Sequence, residues 1–257
     1  MRCLIVNIMY NNLLNITLFL RTIMSPERLA CITNMLNYRQ PDLTVFLEQV
    51  HKPHNLAAIV RTADAIGVSD VHATWEDTAE RLSGHTATGS QNWVNVHSHQ
   101  TLKDAIKALR AQGMQIIATN LSDSAIDFRE VDYTKPTAIL MGQEKYGISQ
   151  EALALADQEV VIPMVGMCQS LNVSVASALI LYEAQRQREL AGMYNGECRL
   201  PEEEAHRILF EGGHPIFSQL CKERNLPYPP LDAEGQIDAS DDWWLAVRST
   251  TKSLKNK

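Results

Sequence analysis

The run Ile162-Pro163-Met164-Val165-Gly166-Met167-Cys168-Gln169-Ser170-Leu171-Asn172-Val173-Ser174 decides the fold. It reads as the end of a buried strand, a tight loop and the polar start of a helix. That helix is expected from about Asn172 to Ala191, apolar on its inner side through Val175, Leu179, Tyr182 and Ala184. Ser170 and Asn172 fall where a helix start leaves backbone N–H groups unpaired, the place where small ligands dock. A second run has the same form: Ala138-Ile139-Leu140-Met141 is an apolar strand, and Gly142-Gln143-Glu144-Lys145-Tyr146-Gly147-Ile148-Ser149 is a glycine-bracketed polar loop. A third, His54-Asn55-Leu56-Ala57-Ala58-Ile59-Val60-Arg61, puts an asparagine at a helix start and an arginine nearly two turns on. Polar loops gathered at strand ends are how an α/β protein builds a site.

Working outward, strands are predicted at 44–50, 70–74, 94–97, 115–119, 137–141 and 160–162, with helices at 25–39, 55–67, 101–112 and 149–156. Ser25, Thr101 and Ser149 stand as N-caps, and Pro26 fits a first turn. This alternation predicts an α/β fold, a mostly parallel sheet flanked by helices on both faces. From Glu197 the pattern changes. Pro201 and Pro215 open helices that end near Gly213 and Asn225, prolines 227, 229 and 230 punctuate a loop, and Asp242-Trp243-Trp244 begins a last short helix. Three regions are expected: 1–23, a non-core extension; 24–195, a catalytic domain with its N-terminal helix; and 196–257, a helical C-terminal tail.

The extension carries Asn7, Asn11, Asn12 and Asn15 inside its apolar run, and no A-x-A-like site follows, which disfavours a signal peptide. No stretch reaches the 18 apolar residues of a membrane span. Met24 is read as the start of the protein proper. The net charge of the 257-residue chain is -7, so any nucleic acid must be met by local basic patches rather than by overall charge. Five cysteines without a C-x-x-C pair favour reduced thiols in a cytoplasmic protein. His51/His54 and His97/His99 have no acidic or cysteine neighbours in their loops, so no metal is expected.

The three runs, in this order, resemble the motifs of the SpoU branch of the SPOUT RNA methyltransferases, over about residues 25–195. Asn55 with Arg61 matches the first motif. Gly142, Glu144 and Gly147 match the second, and Pro163, Ser170, Leu171, Asn172, Val173 and Ser174 match the third. In the tail, Leu200-Pro201-Glu202, Leu209-Phe210-Glu211-Gly212-Gly213, Leu226-Pro227-Tyr228-Pro229 and Asp242-Trp243-Trp244 resemble the TrmH type within that branch. The resemblance implies a C-terminal deep trefoil knot, an exception to the usual rule against threaded chains. It implies a homodimer in which donor and first-motif arginine come from different subunits. It also implies methyl transfer from S-adenosylmethionine to the ribose 2′-hydroxyl of the D-loop guanosine at tRNA position 18. The same transfer at another tRNA site or on ribosomal RNA stays open, as does a non-catalytic RNA-binding role. A Rossmann-type reading is disfavoured, because no G-x-G-x-x-G follows the first strand. No membrane or DNA partner is expected.

Residue by residue, the resemblance makes Arg61, Asn55, Glu144, Ser170 and Asn172 the catalytic set, and Thr119, Gly142, Ile162, Met164 and Leu171 the donor-contacting set. A neutral arginine is costly, so Arg61 is expected to hold the 2′-oxygen and a neighbouring phosphate, with that phosphate as proton relay. Asn55 alone reads as a helix N-cap. Glu144 is expected to hold Asn55, Arg61 or loop backbone by charge-assisted bonds. Cys168 is expected to be packed and inert. Arg28, Arg39, Lys52, His54 and Arg186 are the candidate RNA contacts, with Arg188, Arg248, Lys252, Lys255 and Lys257 as further phosphate partners. Trp243 and Trp244 read either as base-stacking platforms or as tail anchors. One departure stands out: the loop Ser83–Ser90 keeps the family's Gly89-Ser90 end but carries His85 and Thr86 upstream.

Overall fold

A computed structural model of the chain describes residues 24–75, 92–143 and 145–248. The extension at 1–23, the 83–90 loop, Glu144 and the lysines at 252, 255 and 257 lie outside the described residues. By its packing the chain divides into two units, residues 37–200 and residues 24–36 with 201–248.

The larger unit runs β1 (Leu43–Glu48), α2 (Pro53–Ala65), β2 (Asp70–Thr74), β3 (Asn95–His99), α3 (Leu102–Ala111), β4 (Gln115–Thr119), β5 (Ile126–Asp127), a 3₁₀ turn (Phe128–Glu130), β6 (Thr137–Met141), α4 (Gln150–Leu155), β7 (Gln158–Val161) and α5 (Val173–Leu190). α1 (Pro26–Asn37) precedes them, and its contacts group it with the tail rather than with the sheet. Among the described residues the sheet has seven strands in the order β3-β2-β1-β6-β4-β7-β5, and every pairing is parallel. β6 is inserted between β1 and β4, and β7 between β4 and β5. The late strands therefore fill gaps left by the early ones, and the loops that follow them emerge in the middle of the sheet edge.

A parallel sheet must be covered on both faces, so its strands are apolar on both. β1 alternates accordingly: Leu43, Val45 and Leu47 join one core layer with Ile139, Met141, Ile117 and the buried faces of α2 and α5. Phe46 joins the other, with Ala138, Leu140, Ile116 and Ala118 against α3 and α4. Register aligns Val45 with both Val71 and Ile139, and Ile139 with Ile117. The Thr101 side chain accepts the Asp104 N–H and starts α3; the Ser149 hydroxyl accepts the Ala152 N–H and starts α4. β5 is two residues long and lacks the apolar alternation by which strands are read.

Two buried arginines tie the sheet together. Arg188, fully buried near the end of α5, donates to the carbonyls of Tyr133, Asp42 and Lys135, to Gln40 Oε1 and to Asp42 Oδ1. Arg39 is equally buried and donates to the carbonyls of Val68 (2.9 Å) and Trp93 (2.7 Å) and to Asp64 Oδ1 (3.0 Å). Neither side chain reaches solvent, so neither can meet an RNA phosphate, and both phosphate-contact expectations are corrected here.

The outer side of α5 is a second correction. Its buried positions are Val173, Ser177, Ile180, Leu181, Ala184 and Arg188. Val175, Leu179 and Tyr182 point away from the sheet and are 48%, 43% and 54% exposed. The helix is apolar on both sides, so periodicity did not say which side the sheet takes.

In the smaller unit, α6 (Glu202–Gly213), α7 (Pro215–Arg224) and α8 (Asp241–Arg248) enclose Phe210, Cys221, Trp243 and Val247. Met24 packs against Gly213 and Gly235. Trp243 is buried and donates its indole N–H to the Pro227 carbonyl, which assigns it to the tail core. Trp244 meets Phe217 edge-on and lies beneath the Arg248 guanidinium.

Candidate active site

β4, β6 and β7 lie side by side, and their carboxyl ends open into one cleft of about 610 Å³. Thr119 and Asn120 come from the end of β4, Met141 and Gly142 from β6, and Val161 and Ile162 from β7. The 163–172 loop closes the far side with Met164, Ser170, Leu171 and Asn172. All five residues expected to contact the donor line this cleft, together with Lys52, Ser170 and Asn172. The volume suits a nucleoside-sized ligand.

The loop after β6 is built for close approach. Gln143 and Gly147 exchange two backbone hydrogen bonds, of 3.1 and 2.9 Å. A Cβ on Gly142 would fall 2.2–2.4 Å from backbone atoms of Gly147 and Ile148, so only glycine fits. Just past the end of β4, Asn120 and Ser122 each donate to Glu159 Oε2 at 2.7 Å. These two hydrogen bonds hold the Glu159 carboxyl below the usual carboxylate range.

Asn172 is the N-cap of α5: its Oδ1 accepts the Ser174 N–H at 2.8 Å. Its Nδ2 donates to Asn55 Oδ1 at 3.2 Å, joining the third motif to the first across 117 residues. Asn55 is not an N-cap. α2 starts two residues earlier, with Pro53 at its first position, where the missing N–H costs nothing, and Lys52 at the cap position, whose side chain does not cap the helix. Asn55 is therefore inside the first turn with its side chain buried, facing α5.

Arg61 projects from the exposed side of α2, on the same helical stripe as His54 and Ala58. Among the described residues it has no hydrogen bond or ion pair, and it does not line the cleft. Lys52 lies at the cleft mouth. His54 is exposed. Arg186 is exposed and held by Glu183 through two bonds, of 2.9 and 2.7 Å. Arg28 belongs to the smaller unit and donates to the Gly212 carbonyl. Cys168 is exposed rather than packed, with its Sγ 3.9 Å from Met164 Sδ. Among the described residues no group of three metal-ligating side chains converges, and no helix is long and apolar enough to cross a membrane.

Sequence reasoning did not single out Asn120, Leu121, Gln143, Lys145 and Gln169, which also line the cleft. The signal for Asn120 was present, since it directly follows a strand whose carboxyl end faces the site. The sequence marked the His97/His99 pair, but not the partners that β2 brings to it. There His72 Nδ1 and His99 Nε2 are 2.8 Å apart and His97 Nε2 meets Asp70 Oδ1 at 2.6 Å.

A parallel sheet with a loop-built cleft at its carboxyl edge defines an α/β protein of the ligand-binding kind. The family follows from comparison: a profile of the SpoU rRNA Methylase family matches residues 42–182, and one for the SpoU rRNA methylase C-terminal region matches residues 186–240. The chain belongs to the SpoU methylase family. It is 60% identical over 227 residues to a tRNA (guanosine(18)-2′-O)-methyltransferase of Escherichia coli K12, covering 88% of this chain and 99% of that one. The crystal structure of the Aquifex aeolicus TrmH/SpoU tRNA modifying enzyme superposes with a TM-score of 0.68 at 43% identity, covering 74% of this chain and 96% of that one. An AdoMet-bound rRNA methyltransferase from Sinorhizobium meliloti superposes with a TM-score of 0.52 at 34% identity, covering 58% of this chain and 60% of that one.

Proposed function

We infer that this chain is an S-adenosylmethionine-dependent RNA ribose 2′-O-methyltransferase that modifies guanosine 18 of tRNA. The observation that carries the reading is the cleft at the ends of β4, β6 and β7, lined by Ser170, Leu171, Asn172 and Val173 of the third motif and by Gly142 and Gly147 of the second. The 60% identity over 227 residues to the Escherichia coli enzyme supports this substrate. The glycine-permitted closeness at Gly142 and the apolar wall of Ile162, Met164 and Leu171 fit an adenosine moiety.

Bound in the cleft, S-adenosylmethionine supplies a methyl group on a sulfonium. Transfer forms the carbon–oxygen bond to the ribose as the carbon–sulfur bond breaks, and the hydroxyl proton must leave. In-line displacement makes positioning a large part of catalysis. Ser170 and Asn172 shape the reaction centre, and Asn172 also tethers Asn55 on α2, the helix that carries Arg61. Arg61 presents a planar fork of donors to the 2′-oxygen and an adjacent phosphate, which takes the proton. Its exposed position, without a partner among the described residues, supports action on a cleft across a subunit boundary. Glu144 completes the catalytic set, in the loop whose backbone lines the donor pocket.

The active form we propose is a homodimer. Val175, Leu179 and Tyr182 leave an uncovered apolar face on α5, and Val165 and Met167 stand fully exposed in the adjoining loop. A soluble chain rarely leaves such a set open. We also propose a deep trefoil knot at the C-terminal end of the catalytic domain, a cytoplasmic location, a catalytic domain over 24–195 and a tail over 196–257. For the RNA, Lys52, His54, Arg186 and Arg28 are the proposed contacts.

The test is transfer of labelled methyl from S-adenosylmethionine to an unmodified tRNA transcript, with the product nucleotide mapped. Label at the 2′-oxygen of guanosine 18 is expected. It should be lost with Arg61→Ala and with a transcript in which that guanosine is replaced. Label at another tRNA position, or on ribosomal RNA alone, overturns the substrate. No transfer by a folded, donor-binding protein overturns the enzyme reading.

A further inference from the structure

We propose that Glu48 and Gln49, at the carboxyl end of β1, are positioning residues for the donor site, acting through the loop between β6 and α4. The proposal rests on reading the cleft as the donor site. Glu48 does not line the cleft. It is a buried carboxylate with both oxygens used: Oε2 accepts the Ser149 N–H at 2.8 Å and Oε1 accepts the Ser149 hydroxyl at 2.5 Å. Burying a carboxylate is costly unless its oxygens are hydrogen-bonded, and a single serine donates to both of them here.

Ser149 closes the loop that begins at Gly142. That loop contributes Gly142, Gln143, Lys145 and Gly147 to the cleft. The bridge between Gln143 and Gly147 pinches it, so anchoring Ser149 fixes the backbone that faces the ligand. Gln49 makes the second anchor, because its Oε1 accepts from Gln143 Nε2 at 3.4 Å. Gln49 has φ +53, the left-handed region that a residue with a Cβ seldom adopts. Such strain persists where the surroundings over-determine it, and it clusters at ligand clamps. The turn is held by the Gln49 N–H donating to the Thr74 carbonyl at 3.0 Å.

A role confined to holding α4 does not account for the pair. The far end of α4 is already fixed by Arg110, which donates to the Leu155 carbonyl at 2.8 Å and to Asp157 at 3.1 Å. What Glu48 and Gln49 hold that Arg110 does not is the loop itself.

The experiment measures S-adenosylmethionine affinity by calorimetry for the full chain and for Glu48→Ala, Glu48→Gln, Ser149→Ala and Thr44→Val, each with a melting curve. Thr44 is the control for lost stability. It lies on the same strand, is buried, and its hydroxyl donates to the Asp70 carbonyl at 2.5 Å, away from the loop. Glu48→Ala is expected to raise the donor Kd about tenfold, the order seen when a ligand must order a loop that was preformed. The KM for tRNA and the kcat at saturating donor should stay within about twofold, because the loop's support is lost rather than its chemistry. Glu48→Gln should recover most of the affinity, since its carbonyl can take the Ser149 N–H while the serine hydroxyl turns to accept from the amide. Ser149→Ala should fall between the two. Thr44→Val should melt earlier with an unchanged donor Kd. An unchanged Kd in folded Glu48→Ala overturns the proposal and leaves the donor reading standing. An equal rise in Thr44→Val overturns it as well. Absence of donor binding by the unaltered chain overturns both readings.

Discussion

Asn172 performs two tasks that two substitutions separate. Its Oδ1 caps α5 through the Ser174 N–H at 2.8 Å, and its Nδ2 reaches Asn55 at 3.2 Å. Asn172→Ala removes both. Loss of the cap costs about 1 kcal/mol, and loss of one neutral side-chain hydrogen bond about 1 kcal/mol more. In a domain of this size each kcal/mol lowers Tm by about 2–4 °C, so a fall of about 4–8 °C is expected. Asn172→Ser keeps a capping oxygen, because serine caps as well as asparagine, but is too short to reach Asn55. Its Tm should fall by only about half as much. In single-turnover methyl transfer at saturating donor and tRNA, the two variants should share one defect. Both cut the tether between the 163–172 loop and the helix carrying Arg61, and a lost transition-state contact of about 1.4 kcal/mol is tenfold in rate. Circular dichroism melts and quenched-flow transfer read the two effects independently. A Ser variant with the full wild-type rate would refute the tether. Ser and Ala variants that melt together would refute the cap.

Gly142→Ala should abolish S-adenosylmethionine binding in calorimetry while the chain stays folded, because the added carbon meets Gly147 and Ile148 backbone at 2.2–2.4 Å and must move the loop. Arg39→Ala should destabilise by about 2–4 kcal/mol in a urea titration, because it empties a buried site and leaves the carbonyls of Val68 and Trp93 without their donor; tRNA affinity per folded molecule should not change. For pH, burial together with the neighbouring His97 and His99 lowers the His72 pKa to about 4. The unfolded chain then binds more protons between that value and about 6.5, so stability should be full above pH 6.5 and decline as pH falls towards 4. His72→Gln should flatten that slope, by up to about 2–3 kcal/mol across the window. An unchanged slope would remove His72 as its source.

Much of the sheet unit was legible because its signals are local. Strands at 70–74, 115–119 and 137–141 have the predicted bounds, and Thr101, Ser149 and Asn172 cap the helices they precede. A cap needs only a side-chain oxygen within three residues, and a strand end needs only its own run and the glycine after it. The start of α2 was misplaced because Pro53 took the first helical position and moved Asn55 inside the turn. β5 was missed because two residues carry no period.

What the sequence by itself determined is therefore the set of parts: parallel α/β elements, the three polar loops, the residues at their tips and the resemblance they carry. Only tertiary structure decided which of those residues meet. Arg39 and Arg188 read as surface charges until carbonyls 54 and 55 residues away surrounded them. α5 is apolar on two sides, and the sheet's choice of one left Val175, Leu179 and Tyr182 outside. Nothing local marks Glu48; Ser149, 101 residues on, bonds both its oxygens. The physical reason is the range of the forces. Propensity and capping act within a turn of the chain, whereas burial and the partner of a buried charge depend on which distant segments the parallel sheet brings side by side.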